Sequence, residues 1–188
     1  MDGGHDSSGD ARAAEAVRVR VIVRPLDATD AAGVAALFDR MSAESRRRRY
    51  LTSKERLSPR ELRFLTDVDH VRHEAVAAVD TRDGSIVAIA RYVQYGGRPG
   101  VADVAVEVAD DLQAMGIGTM VARRLLERGW ANGITAFEAT ILWENRAARA
   151  LARRLGFRAR SSRGREIELV LGVPATRRRP PVAGRRGP

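Results

Sequence analysis

Residues 101–118 read VADVAVEVADDLQAMGIG, and they carry most of the information about architecture and ligand. Apolar and polar residues alternate over 101–108, as in a half-buried strand, and an amphipathic helix is predicted to begin near Gly116. The free N–H groups and positive dipole end of a helix N-terminus attract phosphate. Gly116 and Gly118 lack a Cβ and can adopt positive φ, so a ligand can approach the backbone closely. We therefore expect a pyrophosphate-binding corner here.

The glycine spacing separates this corner from two common nucleotide loops. No lysine follows the glycines as in GxxxxGK[ST], and the pattern is not GxGxxG. Gln113-Ala-Met-Gly-Ile-Gly118 instead resembles the acetyl-CoA signature (Q/R-x-x-G-x-G/A) of the GNAT superfamily of N-acetyltransferases. A helix N-terminus with two glycines and no ligand would show the same pattern, so the assignment needs a second motif.

The second motif is ENRAARALARRLGF at residues 144–157. It resembles the family's N-x-x-A/M…L-x-x-x-L-G-F ending, in which the Asn, here Asn145, lies near the pantetheine arm. The two motifs occur in the family's order and spacing, and the resemblance covers roughly residues 18–173. It extends to bacterial protein-lysine acetyltransferase-type domains. The resemblance implies acetyl-CoA-dependent transfer of an acetyl group to a primary amine, with a protein lysine as first choice.

The periodicity along the chain predicts one α/β (α+β) domain. Strand patterns span 17–23, 74–79, 86–95, 101–108, 137–142, 157–160 and 167–171. Helices are predicted after Asp30, at the capping box Ser58–Glu61, at Gly116 and at Asn145. The successive strands 74–79, 86–95 and 101–108 form an antiparallel meander, and the helical crossover from 101–108 to 137–142 implies a parallel pair. We therefore expect a mixed sheet of about six to seven strands flanked by helices.

Composition limits the other classes of function. The chain has 188 residues, 44% of them apolar, and no cysteine, which excludes disulfides, thiolate metal sites and a cysteine nucleophile. No apolar run approaches the roughly 18 residues of a membrane span, so a cytoplasmic protein is expected.

Two tails are predicted to be disordered, at residues 1–17 and 174–188, and the second is rich in arginine. Nucleic-acid binding through this basic tail is left open. A solvated extension is favoured over it, because no aromatic residue is interleaved for stacking.

The resemblance assigns the cofactor-binding residues. The pantetheine arm is expected to lie between the strand 101–108 and its parallel neighbour, pairing with backbone groups of Val106 and Val108, and an N–H near Val106 would stabilise the oxyanion. The remaining predicted acetyl-CoA contacts are Gln113, Met115, Gly116, Ile117, Gly118, Thr119 and Asn145.

Two carboxylates are candidates for the general base. Asp103 and Glu107 lie on one face of the strand, opposite Val104, Val106 and Val108, at a separation of roughly 13 Å. They are therefore too far apart to share one proton. The resemblance places Asp103 where protein-lysine acetyltransferases carry a glutamate base, and the shorter side chain suggests a relaying water. Glu107 is the second candidate. For either residue, an exposed carboxylate or a salt bridge is the alternative.

Several features leave alternatives open. Many family members carry a tyrosine seven residues after the Asn as general acid for the thiolate, and here that position is Ala152; Tyr50, Tyr92 and Tyr95 lie at no matching position. His70 and His73 lack a third ligand, so no metal site is predicted.

The run Arg46–Arg49 either attracts an anionic acceptor or ends a solvated helix. A small-molecule amine acceptor, a noncatalytic CoA-sensing module and a homodimer all stay open.

Overall fold

The structure is a computed structural model that describes residues 15–16 and 20–172. Seven strands form one sheet in the order β1-β2-β3-β4-β5-β7-β6. The strands are β1 (Val21–Pro25), β2 (His73–Asp80), β3 (Ile86–Gln94), β4 (Val101–Val108), β5 (Ala136–Leu142), β6 (Arg158–Arg163) and β7 (Glu166–Gly172). The helices are α1 (Ala31–Asp39), α2 (Ala43–Tyr50), α3 (Pro59–Thr66), α4 (Ile117–Ala131) and α5 (Arg146–Leu155).

The predicted domain, residues 18–173, begins and ends within about two residues of the described range 20–172. Apart from Glu15 and Ala16, the two predicted tails lie outside the described residues, as does the predicted start of the first strand at Val17. Within the described residues, no helix is both long enough and apolar enough to cross a membrane.

The predicted mixed sheet is confirmed. Strands β2, β3 and β4 form the antiparallel meander, and β4 is parallel to β5. The parallel register runs only from Val101–Ala136 to Asp103–Glu138. Beyond Asp103 the two strands separate and leave a gap between residues 104–108 and the second half of β5.

Helices cover both faces of the sheet. On one face, Ile117, Val121 and Leu125 of α4 are fully buried, which confirms the predicted apolar stripe. On the other face, α1 and α3 bury Leu37 and Leu65 against β2 and β3. The site described below lies at the end of β4, between these two layers.

Two local predictions change in the structure. Asp30 occupies the N-cap position of α1, but its side chain does not cap the helix. Its carboxylate instead accepts hydrogen bonds from Arg24 Nη1 and Nη2 at 2.8 and 2.6 Å, and from the backbone N of Asp27. The run Arg46–Arg49 forms half of a regular helix, α2, which Ser42 caps. The capping box of Ser58 and Glu61 is confirmed.

Candidate active site

A cleft of about 760 Å³ opens where β4 and β5 separate. Its volume lies within the range of roughly 300–1,000 Å³ that is usual for small-molecule sites. Strand β4 forms its floor, and α2, the start of α4 and α5 form its walls. Helix α5 has no fully buried residue, because part of its apolar face, including Leu151 and Leu155, lines this cleft.

The turn before α4 is shaped to hold an anion. Ala114 and Gly116 have left-handed φ angles of 63° and 86°, and they flank Met115. Left-handed residues in such a turn direct successive N–H groups toward one concave side. Gly116 provides no side-chain cap for α4, so the N–H groups of Ile117 and Gly118 at the start of the helix are not satisfied from within it, whereas Thr119 N donates to the carbonyl of Gly116 at 3.1 Å.

Gly118 contributes through its size rather than through a positive φ. It lies inside α4, and a Cβ there would lie 3.4 Å from Val108 Cγ2 and 3.8 Å from Leu151 Cδ2. The glycine therefore keeps open the narrow space between β4 and α5. Of the two glycines of the motif, only Gly116 has a positive φ.

The predicted cofactor-binding residues gather around this cleft. Those that line it are Val106, Val108, Gln113, Gly116, Gly118, Thr119 and Asn145. The side chains of Met115 and Ile117 pack against the core, so these two residues can offer only backbone groups.

Two of the cleft-lining polar side chains also shape its walls. Gln113 Nε2 donates to Asp110 Oδ1 at 2.8 Å and to the carbonyl of Val108 at 3.3 Å. Asn145 Oδ1 accepts from the N–H of Ala148 at 3.0 Å and so caps α5.

The two candidate carboxylates face the same side of the cleft but differ in environment. The Glu107 side chain is buried; its Oε2 lies 3.7 Å from Arg49 Nε, and Tyr50 Oη donates to it at 3.4 Å. Asp103 is exposed on the cleft surface and has no hydrogen bond or ion pair within residues 20–172. The surrounding walls nevertheless displace bulk water, and this desolvation raises the pKa of Asp103, against the opposing effect of Arg49 and Arg91.

Three further residues lie together in the cleft, although the sequence gives no reason to group them. Arg49, Tyr50 and Arg91 line the cleft beside Asp103 and Glu107. Burial, followed by the charge of Arg49, lowers the pKa of Arg91 to about 10, so Arg91 stays charged at neutral pH. Burial also raises the pKa of Tyr50, which stays neutral. The sequence contains one indication, for Arg91 alone: Arg91 directly follows the apolar stretch IVAIA at 86–90 within the same predicted strand.

An ion pair and a hydrogen bond hold helix α2 over the cleft. Arg47 Nη2 lies 2.9 Å from Oε1 of Glu144, which precedes α5, and the backbone N of Ser42 donates to Asp110 Oδ2 at 2.9 Å. Arg48 pairs with Glu44 at 2.8 Å, and Arg46 donates to three backbone carbonyls. These arginines therefore make intramolecular contacts instead of ending a solvated helix.

The other tyrosines and histidines considered from the sequence lie outside the cleft, except for Tyr50. Ala152 lines the cleft without a phenol, and Tyr50 supplies a phenol from the opposite wall. Tyr92 is buried and donates to the carbonyl of Val71. His70 Nδ1 lies 2.8 Å from Glu74 Oε1, and His73 stacks on a phenylalanine. Within the described residues, no group of three or more His, Cys, Asp or Glu side chains could hold a metal ion.

Comparison with known proteins agrees with this geometry. The family described as "Acetyltransferase (GNAT) domain" matches residues 20–158. "Acetyltransferase PA5475" of Pseudomonas aeruginosa is 32% identical over 139 residues, covering 73% of this chain and 74% of the relative. "Acetyltransferase Pat" of Mycolicibacterium smegmatis is 34% identical over 95 residues, covering 50% of this chain and only 28% of the relative.

Solved structures share the fold. The GNAT domain of S. lividans PAT superposes with a TM-score of 0.75 at 23% identity, over 80% of this chain and 89% of that one. The structure of yncA from Salmonella typhimurium with acetyl-CoA superposes with a TM-score of 0.64 at 17% identity, over 83% and 95%. With the family match over most of the domain, the chain belongs to the GNAT family of acetyltransferases, enzymes that take their acetyl group from acetyl-CoA.

Proposed function

We propose that this enzyme acetylates lysine side chains of proteins, with Asp103 as the proton acceptor. The observation that carries the proposal is the position of Asp103. It belongs to the last residue pair that joins β4 to β5, on the exposed floor of the cleft, and desolvation raises its pKa. A carboxylate placed at the point where the gap begins can receive a proton from an amine that enters the cleft.

The residues around the gap suit acetyl-CoA. The turn at Ala114–Gly116 and the uncapped start of α4 would hold the pyrophosphate. Beyond Asp103, the edge of β4 that faces β5 has no partner strand among the described residues, so backbone groups at Val106 and Val108 would hold the amide groups of the pantetheine arm. When bound, acetyl-CoA supplies the activated acetyl group, and the protein orients it toward the Asp103 side of the sheet.

Proton transfer follows from the pKa values of the groups involved. A lysine ammonium has a pKa of about 10.4, so it must lose a proton before its nitrogen can attack the thioester carbonyl carbon. Asp103 is short, and a water relays the proton to it. As the new C–N bond forms, the C–S bond breaks and the sulfur leaves with its electron pair, while the nitrogen gives up its second proton to solvent.

The leaving thiolate needs no acid from position 152. A cysteine thiol has a pKa of about 8.5, and a thiolate is likewise a good leaving group here, one that takes a proton later from solvent. Tyr50 is poorly suited to act as the acid, because burial and Glu107 both raise its pKa. Ala152 is therefore compatible with catalysis.

A protein acceptor is supported by the rim of the cleft. Leu51, Phe64 and Tyr95 are large apolar side chains that stay 38%, 51% and 36% exposed. Leu51 lines the cleft, Phe64 lies over the Arg91 guanidinium, and Tyr95 is close enough to Asp103 for that charge to raise its pKa. Apolar side chains around a site mark a contact surface for a macromolecule.

A small amine is the alternative acceptor. Arg49 and Arg91 beside the carboxylates disfavour polycations such as aminoglycosides, because like charges in a poorly hydrated cleft repel each other.

The proposal is tested by comparing acceptors. The purified protein is incubated with acetyl-CoA and either a blocked peptide with one lysine, the same peptide with a free N-terminus and no lysine, or spermidine. Free thiol is measured, and mass spectrometry locates the acetyl group. We expect the highest kcat/KM for the lysine peptide. A clear preference for spermidine or for the N-terminal amine would contradict a lysine acceptor.

A further inference from the structure

The acceptor side of the cleft contains more positive charge than proton transfer from an amine requires. Arg49 and Arg91 both border Asp103 and Glu107, and each is close enough to Asp103 to lower its pKa. An incoming ammonium group would be repelled by both guanidinium groups. Their presence therefore calls for a second explanation.

The hydrogen-bonding capacity of these two arginines is largely unused. In the part of the chain that the structure describes, Arg91 forms no hydrogen bond or ion pair, and its contact is a cation–π interaction with Phe64 at 5.4 Å. Arg49 approaches Glu107 at 3.7 Å, which is too long for a hydrogen bond. The nitrogens Arg49 Nε, Arg49 Nη2, Arg91 Nε and Arg91 Nη1 are buried without a partner.

One nitrogen of each guanidinium group remains for a ligand. Arg49 Nη1 and Arg91 Nη2 are not among the buried, unpartnered atoms, and both residues line the cleft. A guanidinium group holds its proton at any physiological pH, so burial has to be offset by an anion. Glu107 and Asp103 are both near the two guanidinium groups, but within the described residues neither carboxylate accepts a hydrogen bond from them.

We propose that Arg49 and Arg91 form an anion-binding subsite that holds a carboxylate carried by the acceptor close to its reactive amine. In a protein acceptor this carboxylate belongs to an Asp or Glu next to the target lysine. The subsite rests on the proposed function, because it borders Asp103, where the amine delivers its proton. The two guanidinium groups bind the acceptor's carboxylate, and the neighbouring Asp103 attracts the amine.

A carboxylate suits the subsite better than a second amine or a neutral group. Guanidinium groups bind carboxylates through charge-assisted hydrogen bonds, which are about twice as strong as neutral ones. An anion would also offset the mutual repulsion of Arg49 and Arg91. The enzyme would thus select an acceptor that combines opposite charges at short range and would disfavour a purely cationic one.

The test uses two blocked peptides that are identical except that the single lysine is flanked by two glutamates in one and by two glutamines in the other. Both are assayed by thiol release at the same ionic strength, because screening changes with salt. We expect kcat/KM to be about tenfold higher for the glutamate peptide, the equivalent of one charge-assisted contact. If both peptides are acetylated, equal rates or a preference for the glutamine peptide would overturn the subsite.

Variants connect the preference to the arginines. In Arg91→Gln the preference should fall below about threefold, and Arg49→Gln is the second variant in case the first does not fold. Arg124→Gln on the outer face of α4, where Arg124 is 54% exposed, is the matched control and should keep the wild-type preference. A preference that survives both cleft substitutions would show that it arises elsewhere.

Calorimetry separates this proposal from the acceptor assignment. Both peptides are titrated into protein saturated with CoA, which has no acetyl group to transfer. If neither peptide is acetylated but the glutamate peptide binds more tightly in an Arg91-dependent manner, the lysine assignment is wrong and the subsite stands. If both are acetylated and bound equally, the subsite is wrong and the lysine assignment stands. If neither is acetylated or bound, both are wrong.

A last comparison assigns the source of the carboxylate. Free lysine and lysinamide differ only in the α-carboxylate. A preference for free lysine larger than that between the two peptides would support the subsite and assign it to the α-carboxylate of a free amino acid.

Discussion

Asp103 lies opposite Glu138 in the last residue pair that joins β4 to β5, yet the two carboxylates have opposite electrostatic environments. Glu138 is buried and pairs with Arg98 and Arg160, and these hydrogen bonds lower its pKa to about 2. Among the residues that the structure describes, Asp103 has no such partner, and desolvation raises its pKa. Neighbouring carboxylates whose environments separate their pKa values are typical of acid–base sites. Glu138 is thus fixed as an anion, and Asp103 is the carboxylate that can exchange a proton.

Replacing Asp103 by Asn should remove the proton acceptor. We expect kcat on a lysine peptide to fall by roughly a hundredfold, at the lower end of general-base effects, because a water can partly substitute. Since the pKa of Asp103 is raised, its inactive protonated form persists to higher pH than for an ordinary Asp. The wild-type rate should therefore rise with pH along an acidic limb, and Asp103→Asn should lack that limb. The measurement is kcat against pH at saturating substrates.

Glu107→Gln is the control for this assignment. Glu107 contacts Arg49 and Tyr50 and is buried, so its substitution should disturb the cleft but keep the acidic limb. A limb that disappears in Glu107→Gln and remains in Asp103→Asn would make Glu107 the base. If both variants keep full activity at every pH, neither carboxylate is the base.

Glu138→Gln should destabilise the protein in a pH-dependent way. We expect a loss of about 1–2 kcal/mol near pH 7, because the buried carboxylate loses its charge-assisted bonds to two arginines that are half exposed and screened. The pKa of Glu138 is lowered to about 2, so this stabilisation is fully present above the ordinary value of 4.5 and is lost as pH falls toward about 2. Urea unfolding across this pH range checks it.

The same substitution also probes Asp103. The negative charge of Glu138 is one of the causes that raise the pKa of Asp103. Removing it should shift the acidic limb of the kcat profile to lower pH. An unchanged limb would mean that Asp103 is not the titrating group.

The ion pair between Arg47 and Glu144 should position α2 over the cleft. We expect Glu144→Gln to raise KM for the acceptor by up to about fivefold, the size of one partly exposed ion pair, with kcat little changed. Hydrogen exchange of the α2 amides should become faster. Glu127→Gln, which removes an exposed ion pair on α4, is the control and should change neither quantity. A decrease in kcat without a change in KM would contradict a positioning role.

Gly129 should be needed for the close contact of α4 with the sheet. A Cβ at this position would overlap the ring of Phe137 and come within 3.0 Å of Tyr92 Cε1. We expect Gly129→Ala to lose about 1–3 kcal/mol through overpacking, which exceeds the gain of up to about 1 kcal/mol in helix propensity. Urea unfolding measures the change. Gly97→Ala, where the Cβ meets nothing within 4 Å, should be close to neutral.

The strand-turn-helix unit could be predicted because its signals are local. Alternation over 101–108 reproduces β4, the glycines mark the start of α4, and the crossover rule implies the parallel pair of β4 with β5. Periodicity does not contain the register, however. That the pairing stops at Asp103 depends on the packing of both strands, and this stop is what creates the cleft.

The electrostatics of the site could not be predicted for a related reason. Arg49, Arg91 and Glu107 are far apart in the sequence, and only the fold brings α2 beside β3 and β4. In the sequence, Arg46–Arg49 is one basic run, whereas in the structure each arginine has a different partner. Asp30 is a local example, because its carboxylate pairs with Arg24 instead of capping α1.

Calorimetric titration shows whether the turn before α4 binds acetyl-CoA for acetyl transfer. Acetyl-CoA is titrated into the wild type, Gly116→Asp and Gly84→Asp. Both glycines have a positive φ, 86° and 74°, and both variants add one negative charge, but only Gly116 lies at the expected pyrophosphate site. We expect micromolar affinity for the wild type and for Gly84→Asp, and at least about a tenfold loss for Gly116→Asp. Equal affinity in all three proteins, or no binding to the folded wild type, would contradict it.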